Sequence, residues 1–418
     1  MPPLPVAIIA DDLTGAADTA AMFVRSGRAV PVSLGAEPRL GEGRSAFAVT
    51  TESRACPPDV ARERVSAAAR SARANGAGLT YKKVDSNLRG NIGAELAALR
   101  DAGLGPIVLA PAFPARGRTT IRGIALVDGV PVAETEMGRD AESPVTHSRI
   151  AALLSAQRDD LRIEHCYLEA LRSDRDSLAR SLAGCDVLIA DAETDADLDL
   201  IAEVTLALEP APVLAGSAGL AGATARYLLG PPARPPWPEG RTGPVLAVLA
   251  SSSERLLEQI AAAGGSATAI ALPCAKLTWE DDLVPELNEA IARAVAELRA
   301  RRDSLVYAAG PLPNVRNPVG LVVEHLAHLA FVVVRQAAPK GLLVGGGSTA
   351  QAVLAALGTG VIEVDDEPLA GIAAGIAVGG EIDGRPVVLK PGAAGGESPV
   401  AELIHYLGRR AAALEEET

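Results

Sequence analysis

The chain has 418 residues, 48% hydrophobic and only 3% aromatic, with a formal net charge of −13 at pH 7. That length points to two domains of roughly 150–200 residues each, and the acidity and scarcity of rings exclude a nucleic-acid binder working by phosphate contacts or base stacking. Four scattered cysteines without a C-x-x-C pair, no basic leader and no apolar stretch near about 20 residues predict a cytoplasmic protein with reduced thiols and no membrane association.

The first predicted strand, "VAIIA" at 6–10, runs straight into Asp11 and Asp12, and Thr14–Gly15 then opens a small-residue helix. Ligands in open α/β sheets gather beyond the carboxyl ends of strands. One aspartate can cap the helix. Two adjacent like charges cost stability unless something nearby uses both.

The strands "AFAVT" and "LTYKKV" follow, the latter ending in "YKKVDSNLRGN" with Lys82, Lys83, Asp85, Ser86, Asn87, Arg89 and Asn91. Alternation puts Lys83 and Asp85 on one face and Lys82 on the other. Arg89 either pairs with Asp85 or offers its planar fork to a carboxylate or phosphate. After "PIVLAP", the segment "APAFPARGRTTIRG" adds Arg116, Arg118 and Arg122. Asp128–Gly129 between apolar runs signals a hairpin, an antiparallel excursion of the first sheet. "DVLIAD" and "APVLAG" read as two more buried strands.

Proline-dense "GPPARPPWPEGRTGP" cannot sit in a helix interior or central strand, so it is read as a stiff connector. The expected domains are 1–230 and 243–418, with a linker at 231–242. Beyond it, "PVLAVLA", "SLVYAAG", "FVVVR" and "GLLVGGG" read as strands. Strands alternating with helical patterns imply an α/β fold with a mostly parallel sheet in each domain.

In "GLLVGGGSTA", Gly345, Gly346 and Gly347 precede Ser348 and Thr349 at a helix start, where backbone amides and the helix dipole favour phosphate. No G-K-[ST] follows, so this is not a Walker A loop. Gly345, Gly347 and Ala350 do fit G-x-G-x-x-G/A, and Asp365 falls about 20 residues on, so a dinucleotide-dependent oxidoreductase is an alternative. "LKPGAAGGESP" offers Lys390, Gly392 and Gly395 to nucleotide phosphates. His325 and His328 read as a core or solvated pair, since no third metal ligand is evident.

Taken together, "ADDLTGAADTA", "KKVDSNLRGNIGAEL", "APAFPARGRTTIRG", "VPVAETEMGRDAESPV", "ADAETDADL" and "GSAGLA" resemble the four-carbon acid sugar kinase family, which includes threonate, erythronate and 3-oxo-tetronate kinases. The resemblance covers nearly the whole chain and is densest in its first half. It implies a sugar-acid-binding N-terminal domain, a nucleotide-binding C-terminal domain, an active site in the cleft between them, and ATP with Mg²⁺ as cofactors. A homodimer is an admissible assembly. Asp12 and Asp85–Ser86–Arg89 then fall in the acid-sugar pocket and Arg118 in the third substrate motif. Ser251, the Gly345–Thr349 turn and Lys390, Gly392 and Gly395 fall on the nucleotide side. Departures from the family's pattern lie there too: Ser348 replaces aspartate, Leu389 threonine, Ala393–Ala394 glycine-phenylalanine, and Ala250 glycine.

Phosphoryl transfer needs positioning and charge stabilisation, and the acceptor hydroxyl needs a base within hydrogen-bond reach. Asp12 is the first candidate base and Asp85 the second. Asp11 orients the strand end or touches metal through water, and no metal ligand is assigned. Lys83, Arg89 and Arg118 bind the substrate carboxylate and the transferring group. A second alternative is a sugar-acid-binding homologue with impaired catalysis.

Overall fold

The structure is a computed structural model that describes residues 5–24, 28–35, 44–231, 243–250, 254–279, 285–392, 394–396 and 398–416. Ser251, Ala393 and the expected linker from residue 232 onward lie outside these. Two compact units emerge, Met1–Ala233 and Arg234–Thr418.

In the first unit, β1 (Val6–Ala10), β2 (Val30–Ser33), β3 (Ala46–Thr50), β4 (Leu79–Lys83) and β5 (Ile107–Ala110) share a sheet with three later strands. β6 (Arg118–Ile121), β7 (Ile124–Val127) and β8 (Val130–Pro131) stand apart from it, and β9 (Ile163–Cys166), β10 (Val187–Ala190) and β11 (Val213–Gly216) complete it. Its order is β2-β3-β1-β4-β11-β5-β10-β9, all parallel. The chain steps from β1 to one side and returns on the other, so β1 and β4 flank a topological switch point, where open α/β sheets bind ligands. Ile8, Ile9, Val49, Ile107 and Leu109 are at most 1% exposed, and each such aliphatic contributes about 1.5–3 kcal/mol on burial.

Helix α1 (Leu13–Met22) is small or apolar on nearly every face and buried from Leu13 to Ala21, the pattern of a core helix. Its alanines allow close approach to the sheet. α2 (Pro58–Ala74) and α3 (Ile92–Asp101) pack against each other.

The Asp128–Gly129 turn is present, with positive φ at both residues (50° and 82°), as a type I′ hairpin requires. It does not extend the main sheet. β6, β7 and β8 form a separate three-stranded antiparallel sheet.

In the second unit, β12 (Val245–Leu249), β13 (Thr268–Pro273), β14 (Ser304–Ala309), β15 (Gly341–Gly345), β16 (Val361–Leu369), β17 (Ile372–Val378) and β18 (Pro386–Lys390) order as β13-β14-β12-β15-β18-β17-β16. The first five run parallel, and β17 and β16 are antiparallel. The switch point here lies between β12 and β15.

"FVVVR" is not a strand. It belongs to the 20-residue helix Pro318–Ala337, capped by Asn317, whose side chain accepts from the Gly320 amide. Leu321, Val322, Leu326, Leu329, Val333 and Val334 are buried, so the β-branched run continues a helical face rather than starting a new element. By length and composition this helix could cross a membrane, contrary to the expectation that no stretch would. It packs instead against the neighbouring helices Pro285–Arg299 and Gly347–Ala356.

Candidate active site

The carboxyl ends of β1, β3 and β4 bring together residues from three sequence segments. Ala10 pairs in register with Thr50 on one side and Lys83 on the other. Asp11 and Asp12 therefore emerge between "TTESR" and "KKVDS".

Both aspartates are buried, at 2% and 5% exposure, and one arginine binds both. Arg54 donates from Nε to Asp11 Oδ2 (2.7 Å), from Nη2 to Asp11 Oδ1 (3.1 Å) and from Nη1 to Asp12 Oδ2 (2.7 Å). This guanidinium is the partner that the adjacent carboxylates require. Burial pushes the Asp11 carboxyl up, but Arg54, Lys82 and Lys83 outweigh it and hold it below the usual range. Asp12 also caps α1, accepting from the Gly15 amide (2.9 Å) and the Thr14 hydroxyl (2.8 Å).

The two lysines point to opposite faces, as alternation predicts. Lys82 is fully buried against Glu95 on α3, Nζ to Oε2 2.9 Å, and Ser53 donates to the same carboxylate. Lys83, 4% exposed, faces α1. A Cβ built on Gly15 would lie 2.9 Å from its Nζ. Among the described residues its ammonium has no hydrogen-bond or ion-pair partner.

Asp85 and Arg89 pair with each other. Arg89 donates from Nε to Asp85 Oδ2 (2.8 Å) and from Nη1 to Asp140 Oδ2 (3.2 Å). Burial raises the Asp85 carboxyl, yet Arg89, Arg54 and Lys83 together hold it well below the ordinary carboxylate range. Leu88 and Gly90 flank Arg89 with positive φ (62° and 93°), and Gly90 lets the loop press onto the Arg54 backbone. Ser86 is half-buried beside this pair. Arg118, at the start of β6, donates from Nε to Asn87 Oδ1 (3.2 Å), tying the third sequence cluster to the second.

In the second unit, Gly345 and Lys390 pair across β15 and β18. Gly346 has φ 100°, and a Cβ there would lie 2.6 Å from the Ala250 carbonyl oxygen. Gly346 immediately precedes the helix Gly347–Ala356, whose first turn carries Ser348 and a buried Thr349. Lys390 is fully buried and donates to the Gly392 carbonyl. Gly395 has φ 100°, and Arg255 Nη2 holds its carbonyl at 3.0 Å. Glycine turn and lysine loop thus sit at the ends of the neighbouring strands β15 and β18, the first of which borders the switch point.

Asp365 lies on a strand that is not adjacent to the one entering the glycine turn. Its strand, β16, is separated from β15 by β17 and β18, and its carboxylate is ion-paired with Arg410. Among the described residues, no group of three or more His, Cys, Asp or Glu side chains could hold a metal ion.

Sequence reasoning missed Arg54, Glu95, Glu52 and Asp18. Glu52 carries a positive φ of 45°, and burial pushes its carboxyl up to about 7.

The first unit's strand-end cluster and the second unit's glycine turn suit an anionic small molecule and a phosphate, respectively. Residues 6–224 match a family model described as a sugar-binding N-terminal domain, and residues 246–399 one described as a nucleotide-binding C-terminal domain. The chain is therefore a two-domain protein of the sugar-binding and nucleotide-binding kind. It is 32% identical to a D-threonate kinase of Salmonella typhimurium over 96% of this chain and 97% of the relative. A Bordetella bronchiseptica D-threonate kinase is 34% identical (97% and 98%), and a Heliobacterium modesticaldum D-erythronate kinase 29% (96% and 97%). A solved structure from Salmonella typhimurium shares the fold, with TM-score 0.77 and 22% identity over 96% of this chain and 98% of its own. The chain belongs to the four-carbon acid sugar kinase family.

Proposed function

We propose that this protein transfers the terminal phosphoryl group of ATP to a hydroxyl of a four-carbon sugar acid of the threonate, erythronate or 3-oxo-tetronate type. The observation carrying this reading is similarity along nearly the full chain to kinases of such acids, joined to a buried ammonium, Lys83, that lies in the field of Asp11, Asp18 and Asp85 yet makes no hydrogen bond or close ion pair among the described residues.

In this reading Lys83, Arg89, Arg118 and Ser86 bind the acid's carboxylate and the phosphoryl group in transit. Asp11 and Asp12 hold Arg54 at the pocket's edge, and Asp85 aims Arg89. On the other unit, Gly345, Gly346 and Gly347 bring backbone amides to the nucleotide phosphates at the helix start. Ser348, Thr349, Lys390, Gly392 and Gly395 serve the same phosphates in this reading, and Ser251, outside the described residues, joins them by the family resemblance alone. Donor and acceptor must be held at near-attack distance, a large part of what a kinase supplies.

Mg²⁺ enters as the counter-ion of the nucleotide, carried on its phosphates, because the ion commonly keeps most of its waters and takes few protein ligands. The four cysteines are free, consistent with a cytoplasmic setting.

An ADP-release assay against D- and L-threonate, D- and L-erythronate and their 3-oxo forms tests the reading. Stimulation by at least one acid is expected. Tight NAD(P)H binding without any stimulation would transfer the protein to the oxidoreductases, and acid binding without ATP consumption would make it a sensor.

A further inference from the structure

We propose that Asp18, on the second turn of α1, takes the proton of the substrate hydroxyl; the assignment rests on the kinase reading above. In the step, the hydroxyl proton passes to an Asp18 carboxylate oxygen as the hydroxyl oxygen bonds to the terminal phosphorus of ATP. The bond from that phosphorus to the bridging oxygen breaks, and its electron pair leaves on ADP. Asp18 later releases the proton to solvent.

Three carboxylates of the pocket are already occupied. Asp11 has both oxygens on Arg54. Asp12 accepts from Arg54, Thr14 and Gly15. Asp85 has both oxygens toward Arg89, at 2.8 and 3.4 Å. A carboxylate held by a guanidinium is a weak base, because accepting a proton forfeits the ion pair.

Asp18 differs. It is 7% exposed and accepts one hydrogen bond among the described residues, from Thr19 Oγ1 to Oδ1 at 3.0 Å. Its Oδ2 accepts no hydrogen bond among the described residues. Asp18 lies one turn beyond Gly15, over which the Lys83 ammonium sits. The groups whose fields meet it are Lys83 and Tyr81 from β4, Asp12 at the head of α1, and Arg116 from the turn Pro114–Arg116. It therefore feels one cation from each of the second and third sequence clusters, Lys83 and Arg116, and Lys83 is one of the groups proposed to bind the phosphoryl group in transit. Burial, helped by Asp12, raises its carboxyl to about 6 against the pull of Lys83 and Thr19. A base is most effective with a pKa near the working pH.

The bland alternative makes Asp18 a mere counter-charge that tunes Lys83. That role would alter acid binding rather than proton transfer, and full-chain Asp18→Asn separates the two. Its kcat should fall by about 10²-fold or more, while KM for the acid stays within about threefold. Wild-type kcat should decline on the acid side with an apparent pKa near 6, and the variant should lose that limb. Asp18→Glu should recover part of kcat and restore an acid limb. An Asp18→Asn enzyme with near-normal kcat, or one whose only defect is in KM, overturns the assignment. Should Asp18→Asn fail to fold, the wild type and Asp18→Glu still decide. A wild-type kcat that stays flat from pH 7 to about pH 4.5 rules Asp18 out. A wild type that releases no ADP with any acid removes the kinase reading and this assignment together, whereas an active wild type with an equally active variant removes the assignment alone.

Discussion

Gly15 and Lys83 meet across a space that a side chain would need: a Cβ on Gly15 would lie 2.9 Å from Lys83 Nζ and 2.6 Å from Asp12 Oδ1. The glycine sits in the first turn of α1, where alanine would favour the helix by about 1 kcal/mol. Its value is therefore the access it gives the ammonium, at some cost in helix stability. Gly15→Ala should leave the thermal midpoint within a few degrees of wild type, because the flexible lysine end can move aside. Acid binding should weaken about tenfold or more, since Lys83 loses its place above the helix. Calorimetry with the acid, beside a melting curve, checks both halves of the expectation.

Lys82 and Lys83 are neighbours with opposite duties, and substitution to methionine should separate them. Lys82→Met strands the fully buried Glu95 carboxylate. Removing one member of a buried pair costs about 3–5 kcal/mol, so urea unfolding should show a loss of that order. Lys83→Met removes a buried cation that has no ion pair among the described residues. The loss in stability should be smaller than for Lys82→Met, because no close ion pair breaks although Asp11, Asp18 and Asp85 lose its field, while acid-dependent ADP release collapses. A Lys83→Met protein as unstable as Lys82→Met would mean that its ammonium is structural.

How much of this was legible beforehand depended on whether a residue's partner is local. The carboxyl-end clusters could be read because strand ends and polar runs coincide, and Asp85 and Arg89 lie four residues apart on one loop. Arg54 could not, because its pairing with Asp11 spans 43 residues and requires β3 to lie beside β1. A signal was present: "TESR" follows a buried strand just as "DDLTG" does. Glu95 was hidden because an acid in the first turn of a helix reads as dipole compensation, not as a lysine's buried partner. Asp18 was hidden inside a small-residue helix, where its three-residue spacing from Gly15 marks the same face. "FVVVR" misled because three consecutive β-branched residues suit a strand, while the face they continue becomes apparent only from Leu321 onward.

Asp85 should impart an acid-side dependence to stability. Its folded carboxyl is held below the usual range, so between the folded pKa and the unfolded value of about 3.9 the unfolded chain binds more protons. Stability contributed by this pair is fully present above about pH 5, declines as pH falls through about 4, and continues falling toward the folded value. Urea melts from pH 7 to pH 3 should therefore show a shallower acid-side decline for Asp85→Asn than for wild type. The variant should also be less stable at pH 7, because Arg89 loses its charged partner. Parallel pH profiles would assign the acid sensitivity to other carboxylates.

Gly346 tests the nucleotide side without touching the acid pocket. Its φ of 100° is open to glycine and strained for any L residue, and an added Cβ would lie 2.6 Å from the Ala250 carbonyl oxygen. That oxygen is backbone, at the end of the strand β12, whose register with β15 is fixed from Val245 to Leu249. It cannot swing away as a lysine tip can. Gly346→Ala must therefore displace the turn itself, and the amides that follow it at the head of the helix Gly347–Ala356 move with it. Backbone strain of this kind costs about 1–3 kcal/mol, so a modest drop in melting temperature is expected. The larger effect should fall on nucleotide affinity, because phosphate binding at a helix start depends on the direction of a few amides. ADP binding by calorimetry should weaken about tenfold or more, and acid binding measured without nucleotide should be unchanged. Lys390→Ala should weaken ADP in the same way while leaving the turn intact. Loss of acid binding in Gly346→Ala, with ADP affinity retained, would reverse the division of labour between the two units.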